Sequence, residues 1–308
     1  MRLTITGADG FVGRAVVRRL RETGVAAALL LVDRTFAEAG PERRLAGDLT
    51  DPAVLAAATR DCDALLHLAA LPGGAAERDP AASRAINLDL PLRLIEAMAG
   101  RRLVLAGSIA VFGAAPAGPI DDQSMAVPDS VYGTHKRMVE LAFADAARRG
   151  AIAGAVLRLP GIVARPAAAA GFGSAFLSDV FHAAVAGRPY VVPVASDATS
   201  WVCSVRSCAA NLVRALLGDG AEHAPVTLPA LRVRMGDLVD ALEARLPGAT
   251  LTHAENPALR HAFASYPPLI TSRAAALGFT AEPDVGALID AVLADLSPNS
   301  TQGPPPCA

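Results

Sequence analysis

Lysine is almost absent from this chain. Of its 28 basic residues only Lys136 is a lysine, and the others are arginines. Acidic residues number 30, so the net charge is −2 and no broad basic face favours nucleic acid or an anionic membrane as partner. The four cysteines (Cys62, Cys203, Cys208 and Cys307) have neither metal-ligand spacing nor a disulfide framework, and read as reduced thiols. No metal site is expected. The longest purely apolar stretch, 25–32, is far below the roughly 20 residues that span a bilayer. A strand starting at residue 2 leaves no room for a signal peptide, so a cytoplasmic protein is expected. Internal repeats are absent. The 308 residues suffice for one large core with a smaller second lobe.

What is present begins at the N-terminus. A β-type run, 3–6, breaks into Gly7, Gly10 and Gly13 and passes through Phe11 and Val12 into a helical pattern. Glycines admit close approach of a pyrophosphate, and the first-turn N–H groups and helix dipole favour its charge. The spacing is G-x-x-G-x-x-G, and a plain structural turn is the competing reading. Asp33, twenty residues after Gly13 and closing the apolar run 28–32, favours a cofactor. A carboxylate there accepts hydrogen bonds from the adenosine ribose and repels a 2′-phosphate, which predicts NAD rather than NADP. Asp48, beside Leu49, stands where the adenine of a dinucleotide would lie, or it belongs to the turn that opens the helix at Asp51-Pro52.

Further along, 63–70 reads as a buried parallel strand whose end, Leu68-Ala69-Ala70, lets a cofactor lie close. His67 is expected to be a hydrogen-bonded core histidine. Asn87 interrupts an apolar helical pattern over 81–98 and is a cofactor candidate. Ser108 follows the strand 103–107 at its carboxyl end, where ligands of open parallel sheets bind. A helix running from about 131 toward Gly150, capped by Ser130 or Asp129, puts Tyr132 and Lys136 on one face. Gly133 weakens that helix, which implies that a backbone or ligand approaches it. Pro160 ends the strand 155–160, where a nicotinamide ring would lie.

These residues form a proton-transfer site beside a hydride acceptor. A phenol titrates near ~10, and an adjacent ammonium and a cationic nicotinamide would lower that value. Tyr132 would then take the hydroxyl proton of an alcohol, Ser108 would hold the same oxygen, and Lys136 would also bind the nicotinamide ribose.

The segments 6–13, 67–70, 107–113, 132–136 and 158–160 resemble the extended short-chain dehydrogenase/reductase superfamily, the NAD-dependent epimerase/dehydratase group. Later segments (158–166, 171–174, 201–206 and 265–267) resemble the D-erythronate dehydrogenases within it. The resemblance implies an α/β Rossmann-type doubly wound parallel sheet with a smaller C-terminal substrate-binding lobe, NAD as cofactor, oxidation of the C2 hydroxyl of a four-carbon sugar acid, and a homodimer. Two departures stand out: Gly107-Ser108 replaces a double serine, and Tyr266 replaces a tryptophan. The expected division is 1–163 for the NAD-binding domain with 201–228 returning to it, 164–200 and 229–296 for the lobe, and 297–308 as a disordered tail. For the substrate carboxylate, Arg165 and Arg206 are the cationic candidates, with Ser174 and Ser265 weaker polar ones. Competing readings are a nucleotide-sugar epimerase or dehydratase, against which the short lobe and sparse aromatics count, and a non-catalytic NAD-sensing module.

Overall fold

Ala64–His67 and Leu103–Leu105 are near-continuous apolar runs, and these residues are buried, as are all of Leu3–Thr6, whose two threonines alternate with leucine and isoleucine. Strands covered on both faces belong to a parallel sheet between helical layers. A computed structural model of the protein, which describes residues 1–166, 173–220 and 222–296, shows that sheet. The strands are β1 (Arg2–Thr6), β2 (Ala28–Asp33), β3 (Arg43–Ala46), β4 (Ala64–His67), β5 (Arg102–Ser108), β6 (Ala153–Leu159), β7 (Gly161–Val163), β8 (Tyr190–Val192), β9 (Thr199–Ser204), β10 (Val226–Thr227), β11 (Leu231–Arg234) and β12 (Leu251–His253). Seven of them form the main sheet in the order β10-β6-β5-β4-β1-β2-β3, all parallel.

The order reverses between β1 and β4, so their carboxyl ends diverge into a crevice. Gly7 follows β1 there with φ +69°, and a Cβ on it would lie 2.6 Å from the Ala69 nitrogen. Inside the sheet, Thr6 Oγ1 and His67 Nδ1 are 2.7 Å apart. Burial drives the His67 pKa down to about 3, with the nearby Lys136 charge adding to it, so the ring is neutral. It is the core histidine the sequence suggests.

One face of the sheet packs Leu3, Ile5 and Leu66 against the helices Phe11–Glu22 and Val205–Leu217. The other packs Leu65, Leu103 and Leu105 against Leu90–Ala97 and Val131–Arg148. A second hydrophobic cluster gathers the helices Phe176–Val185, Met235–Arg245 and Val285–Leu296 around β7, β8, β9, β11 and β12.

Two expectations need correction. The stretch 201–203 does not rejoin the main sheet, because β9 pairs with β7 and antiparallel with β11. Pro160 lacks an N–H to continue the β6 ladder, and the chain starts a new pairing at Gly161. The helix Ser272–Ala276 does not finish the second lobe, since Ala274 and the following Phe279 join the core under Val205–Leu217. A helix Pro257–Phe263, capped by Asn256, was not foreseen, because its residues carry no helical apolar period. β10 pairs with β6, and the helix Val205–Leu217 packs on the main sheet. The tail 297–308, with Cys307, lies outside the described residues, as does 167–172 of the alanine-rich loop. Among the described residues, no helix is long and apolar enough to cross a membrane.

The helix Val131–Arg148 starts as expected, with Ser130 Oγ accepting from the Gly133 nitrogen at 3.1 Å. Gly133 itself faces the turn after β5, where a Cβ would sit 2.4 Å from the Ala110 carbonyl oxygen. Helix propensity alone would make Gly133→Ala stabilising by ~1 kcal/mol. Contact with a fixed backbone reverses the sign, and the variant is expected to lose about 1–3 kcal/mol. A denaturant midpoint above that of the parent chain would contradict this packing.

Candidate active site

A cleft of about 510 Å³ runs from the glycine turn to the second lobe. At one end Gly7, Gly10, Phe11, Val12 and Gly13 line it. The helix Phe11–Glu22 begins at Gly10, which has no side chain to cap its first-turn N–H groups, so that helix end faces the cleft ready for an anion. A Cβ on Gly13 would lie 2.2 Å from the Gly7 carbonyl oxygen, which is why the turn stays this tight only with glycine. Asp33 stands at the end of β2, and its carboxylate accepts from the nitrogens of Asp9 and Arg34, each at 2.8 Å. These features fit a dinucleotide: an open helix N-terminus for the pyrophosphate and a fixed carboxylate near the turn.

Other cofactor candidates divide. Leu68, Ala70 and Pro160 line the cleft, and Ala69 meets Gly7 through its backbone. Asp48 accepts from the nitrogen and Oγ1 of Thr50 at 2.8 and 2.7 Å, which holds its carboxyl below the usual range. It is the turn residue of its own loop, and neither it nor the buried Leu49 lines the cleft. Asn87 is buried and grips Leu71, accepting from its nitrogen and donating to its oxygen at 2.9 Å each. It shapes the loop after β4 from behind and does not face the cleft.

At the middle of the cleft lie Ser108, Tyr132 and Lys136. Ser108 ends β5 and its Oγ accepts from the Ala110 nitrogen at 3.1 Å. Lys136 is 5 % exposed, its Nζ donates to the Ala106 carbonyl at 2.8 Å and stands 5.6 Å from the centroid of the Tyr132 ring. Burial lowers its pKa to about 8, and Glu140 works against that fall. Tyr132 moves in the direction opposite to expectation. Burial raises its pKa to about 12, while a hydrogen bond with Ser108 and the charge of Arg165 pull it down. Ser108 and Arg165 are thus the groups that pull toward its phenolate against burial in the free protein.

Arg165 lines the cleft with Ser174, donating from Nη2 to Ser174 Oγ and to its carbonyl at 3.0 and 3.1 Å. Arg206 is elsewhere. It pairs with Asp295 at 2.9 Å beside a separate cavity of about 380 Å³, so it does not share the cleft with Tyr132. Ser265 is likewise turned away, donating to the Arg260 carbonyl at 3.0 Å. Sequence reading missed Glu77, whose Oε1 accepts from the Tyr132 nitrogen at 3.2 Å, and the Ser200 and Phe263 parts of a wall to which Tyr266, noted there as replacing a tryptophan, also belongs. Glu77 sits in the short helix Gly73–Arg78, whose glycine and alanine content carries no periodic signal. Among the described residues no cluster of His, Cys, Asp or Glu could hold a metal.

The profile of the NAD dependent epimerase/dehydratase family matches residues 3–220. A protein named D-erythronate dehydrogenase from Cupriavidus necator is 31 % identical over 320 residues, covering 96 % of this chain and 98 % of its own. A protein of the same name from Haemophilus influenzae is 29 % identical over 91 % of this chain and 94 % of its own. Among solved structures, one described as a nucleoside-diphosphate-sugar epimerase from Agrobacterium tumefaciens superimposes with a TM-score of 0.86 at 29 % identity, covering 98 % of this chain and 95 % of that one.

The buried ammonium has a measurable consequence in the free protein. Lys136 titrates near 10.5 unfolded and about 8 folded. A depressed pKa of this kind contributes stability that is present above the unfolded value and lost as pH falls through the folded one. Replacing Lys136 by Met should therefore stabilise the free protein below pH 8, by on the order of 3 kcal/mol. The gain should shrink as pH rises toward 10.5. Equal stability of the two proteins at pH 7 would show that Lys136 carries no such cost.

Proposed function

The chain belongs to the NAD-dependent epimerase/dehydratase family and carries out NAD-dependent dehydrogenation, and we propose that its substrate is a four-carbon sugar acid, D-erythronate, oxidised at C2 to 2-oxo-D-erythronate. The observation that carries this reading is the position of Arg165 in the same cleft as Tyr132, with its charge felt by the phenol. A 2-hydroxy acid bears its carboxylate one bond from the reacting carbon. A guanidinium beside the base is the group that takes such a carboxylate, with Ser174 orienting it.

Bound NAD supplies the hydride acceptor and a positive charge near the phenol. Gly7, Gly10, Phe11, Val12 and Gly13 would cradle its pyrophosphate, Asp33 its adenosine ribose, and Leu68, Ala70 and Pro160 the rest of its path along the sheet. Tyr132 takes the proton of the C2 hydroxyl, and Ser108 donates a hydrogen bond to the same oxygen as the carbonyl forms. Its free-protein pKa of about 12 means that the positive charge of the loaded site, with Ser108 and Arg165, has to make the phenolate accessible. Lys136 adds an ammonium below the ring. The protein would act in the cytoplasm as a homodimer, for which the exposed Met138 and Leu141 on the Tyr-Lys helix offer an apolar surface.

A nucleotide-sugar epimerase remains the second reading, supported by the Agrobacterium structure at 29 % identity. The purified chain, given NAD with D- and L-erythronate, threonate, larger aldonates, uronates and UDP-sugars, should form NADH with a four-carbon acid. Tyr132→Phe should lower that turnover about 10³-fold, in the range of a lost acid–base group, while still binding NAD. Interconversion of a UDP-sugar without net NADH, and silence on every acid, would replace the sugar-acid reading by the epimerase one.

A further inference from the structure

Two buried charges take no direct part in this chemistry. Glu140 lies one turn beyond Lys136 on the Val131–Arg148 helix and is 0 % exposed, and Arg158, near the end of β6, is 7 % exposed. Their contact is two-pronged, with Arg158 Nε donating to Oε1 at 2.7 Å and Nη2 to Oε2 at 2.9 Å. Arg137 adds a bond to Oε2 at 3.0 Å. The guanidinium carbon of Arg158 stands 4.8 Å from the centre of the Phe112 ring, in the short turn Ile109–Phe112 that follows Ser108.

One ion pair thus touches all three elements that present the reacting groups: the helix of Tyr132 and Lys136, the turn after Ser108, and the strand that ends before Pro160. Apolar residues of similar volume would fill such a space at equal or lower cost. What they would lack is the fixed two-point geometry of a carboxylate on a guanidinium, which sets rotation and height of one element against another.

We propose that Glu140 is a positioning residue of the reaction, fixing the Tyr-Lys helix against β6 through Arg158 and keeping the ammonium of Lys136 charged and in place. The groups facing Lys136 support this. Tyr132 and Glu140 face it from its own helix, the neutral His67 from β4 and the Ala106 carbonyl from β5. Glu140 is the carboxylate among them, and it opposes the burial that drives Lys136 toward the neutral amine. The proposal rests on the reading of Tyr132 and Lys136 as reacting groups.

The test compares the full chain with Glu140→Gln, Glu140→Asp and Arg158→Lys. Glu140→Gln should lower kcat about tenfold or more with a smaller change in substrate KM, the pattern of a group acting on the chemical step. It should also move the alkaline limb of the pH–rate profile to lower pH, because Lys136 loses its counter-charge. NAD affinity and the pH window over which Lys136 affects the stability of the free protein should shift with it, and neither readout needs a substrate. Glu140→Asp keeps the charge but shortens the reach, so the limb should stay in place while kcat falls. Arg158→Lys should likewise lose kcat, since one ammonium cannot engage both oxygens. Variants that melt earlier yet keep kcat, NAD affinity and the alkaline limb of the parent would make the pair merely structural and overturn the proposal. Retained turnover in Tyr132→Phe would instead overturn the proposed chemistry, while the NAD and stability readouts would still report on Glu140.

Discussion

The close approach of Gly7 to the backbone of Ala69 is the constraint on which the rest of the site depends. The reversal of strand order between β1 and β4 opens a crevice at their carboxyl ends, and its floor is set by how near the two chains come after leaving the sheet. A Cβ on Gly7 or Gly13 would push backbone aside at 2.6 and 2.2 Å, and the turn would widen. With glycine at both places, the helix Phe11–Glu22 starts directly over the crevice with its N–H groups uncapped by any side chain. Asn87 secures the opposite bank by holding both polar groups of the Leu71 backbone. The cleft for the cofactor is thus made by backbone geometry, and few side chains are needed to define it.

Within that frame the charged groups are arranged against their own solvation. The buried ammonium and the half-buried phenol are both displaced toward their neutral forms, Lys136 down to about 8 and Tyr132 up to about 12. Both shifts come chiefly from burial, and both are opposed by fixed neighbours: Glu140 for the lysine, Ser108 and Arg165 for the tyrosine. A site built this way is poised for added charge. A cation or a carboxylate bound in a partly enclosed cleft interacts more strongly than it would in water, so binding itself changes which protonation state is stable. Arginine could not replace Lys136 here, because a guanidinium is larger, planar and not titratable in this range. That is a physical reason for a lysine at this one position in a chain whose other basic residues are arginines.

What the sequence disclosed was what depends on local spacing. The glycine turn, the Ser130 cap, the shared face of Tyr132 and Lys136, and the close approach at Gly133 all follow from residues a few positions apart, and the structure shows each. Placement that depends on distant packing was hidden. Arg165 and Arg206 were equivalent as arginines after apolar runs. Only the seating of the helix Val285–Leu296, which brings Asp295 to Arg206 and Arg18, takes one of them away from the cleft. Asp48 is held by Thr50 two residues away, the local turn role that the sequence offered beside the adenine one. Glu77 and the Phe263 wall were invisible because they come from short helices held by tertiary contacts rather than by periodic apolar residues.

The same distinction bears on how the second lobe shares in the site. Trp201 on β9 is fully buried, stacks on Tyr266 at 4.6 Å and meets Phe112 edge-on at 6.3 Å. Its indole nitrogen is bound to the Pro267 carbonyl at 2.7 Å, which leaves the ring no freedom to rotate. Phe112 in turn lies under Arg158, which holds Glu140 on the Tyr-Lys helix. The wall of the cleft and the helix that carries the reacting pair are therefore parts of one packed stack running from the second lobe to the main sheet. Tyr266, at the cleft end of that stack, is buried and stacks on Trp201. Substitution of a tryptophan-sized side chain at this position would be felt both in the width of the cleft and, through Phe112 and Arg158, at the helix of Tyr132.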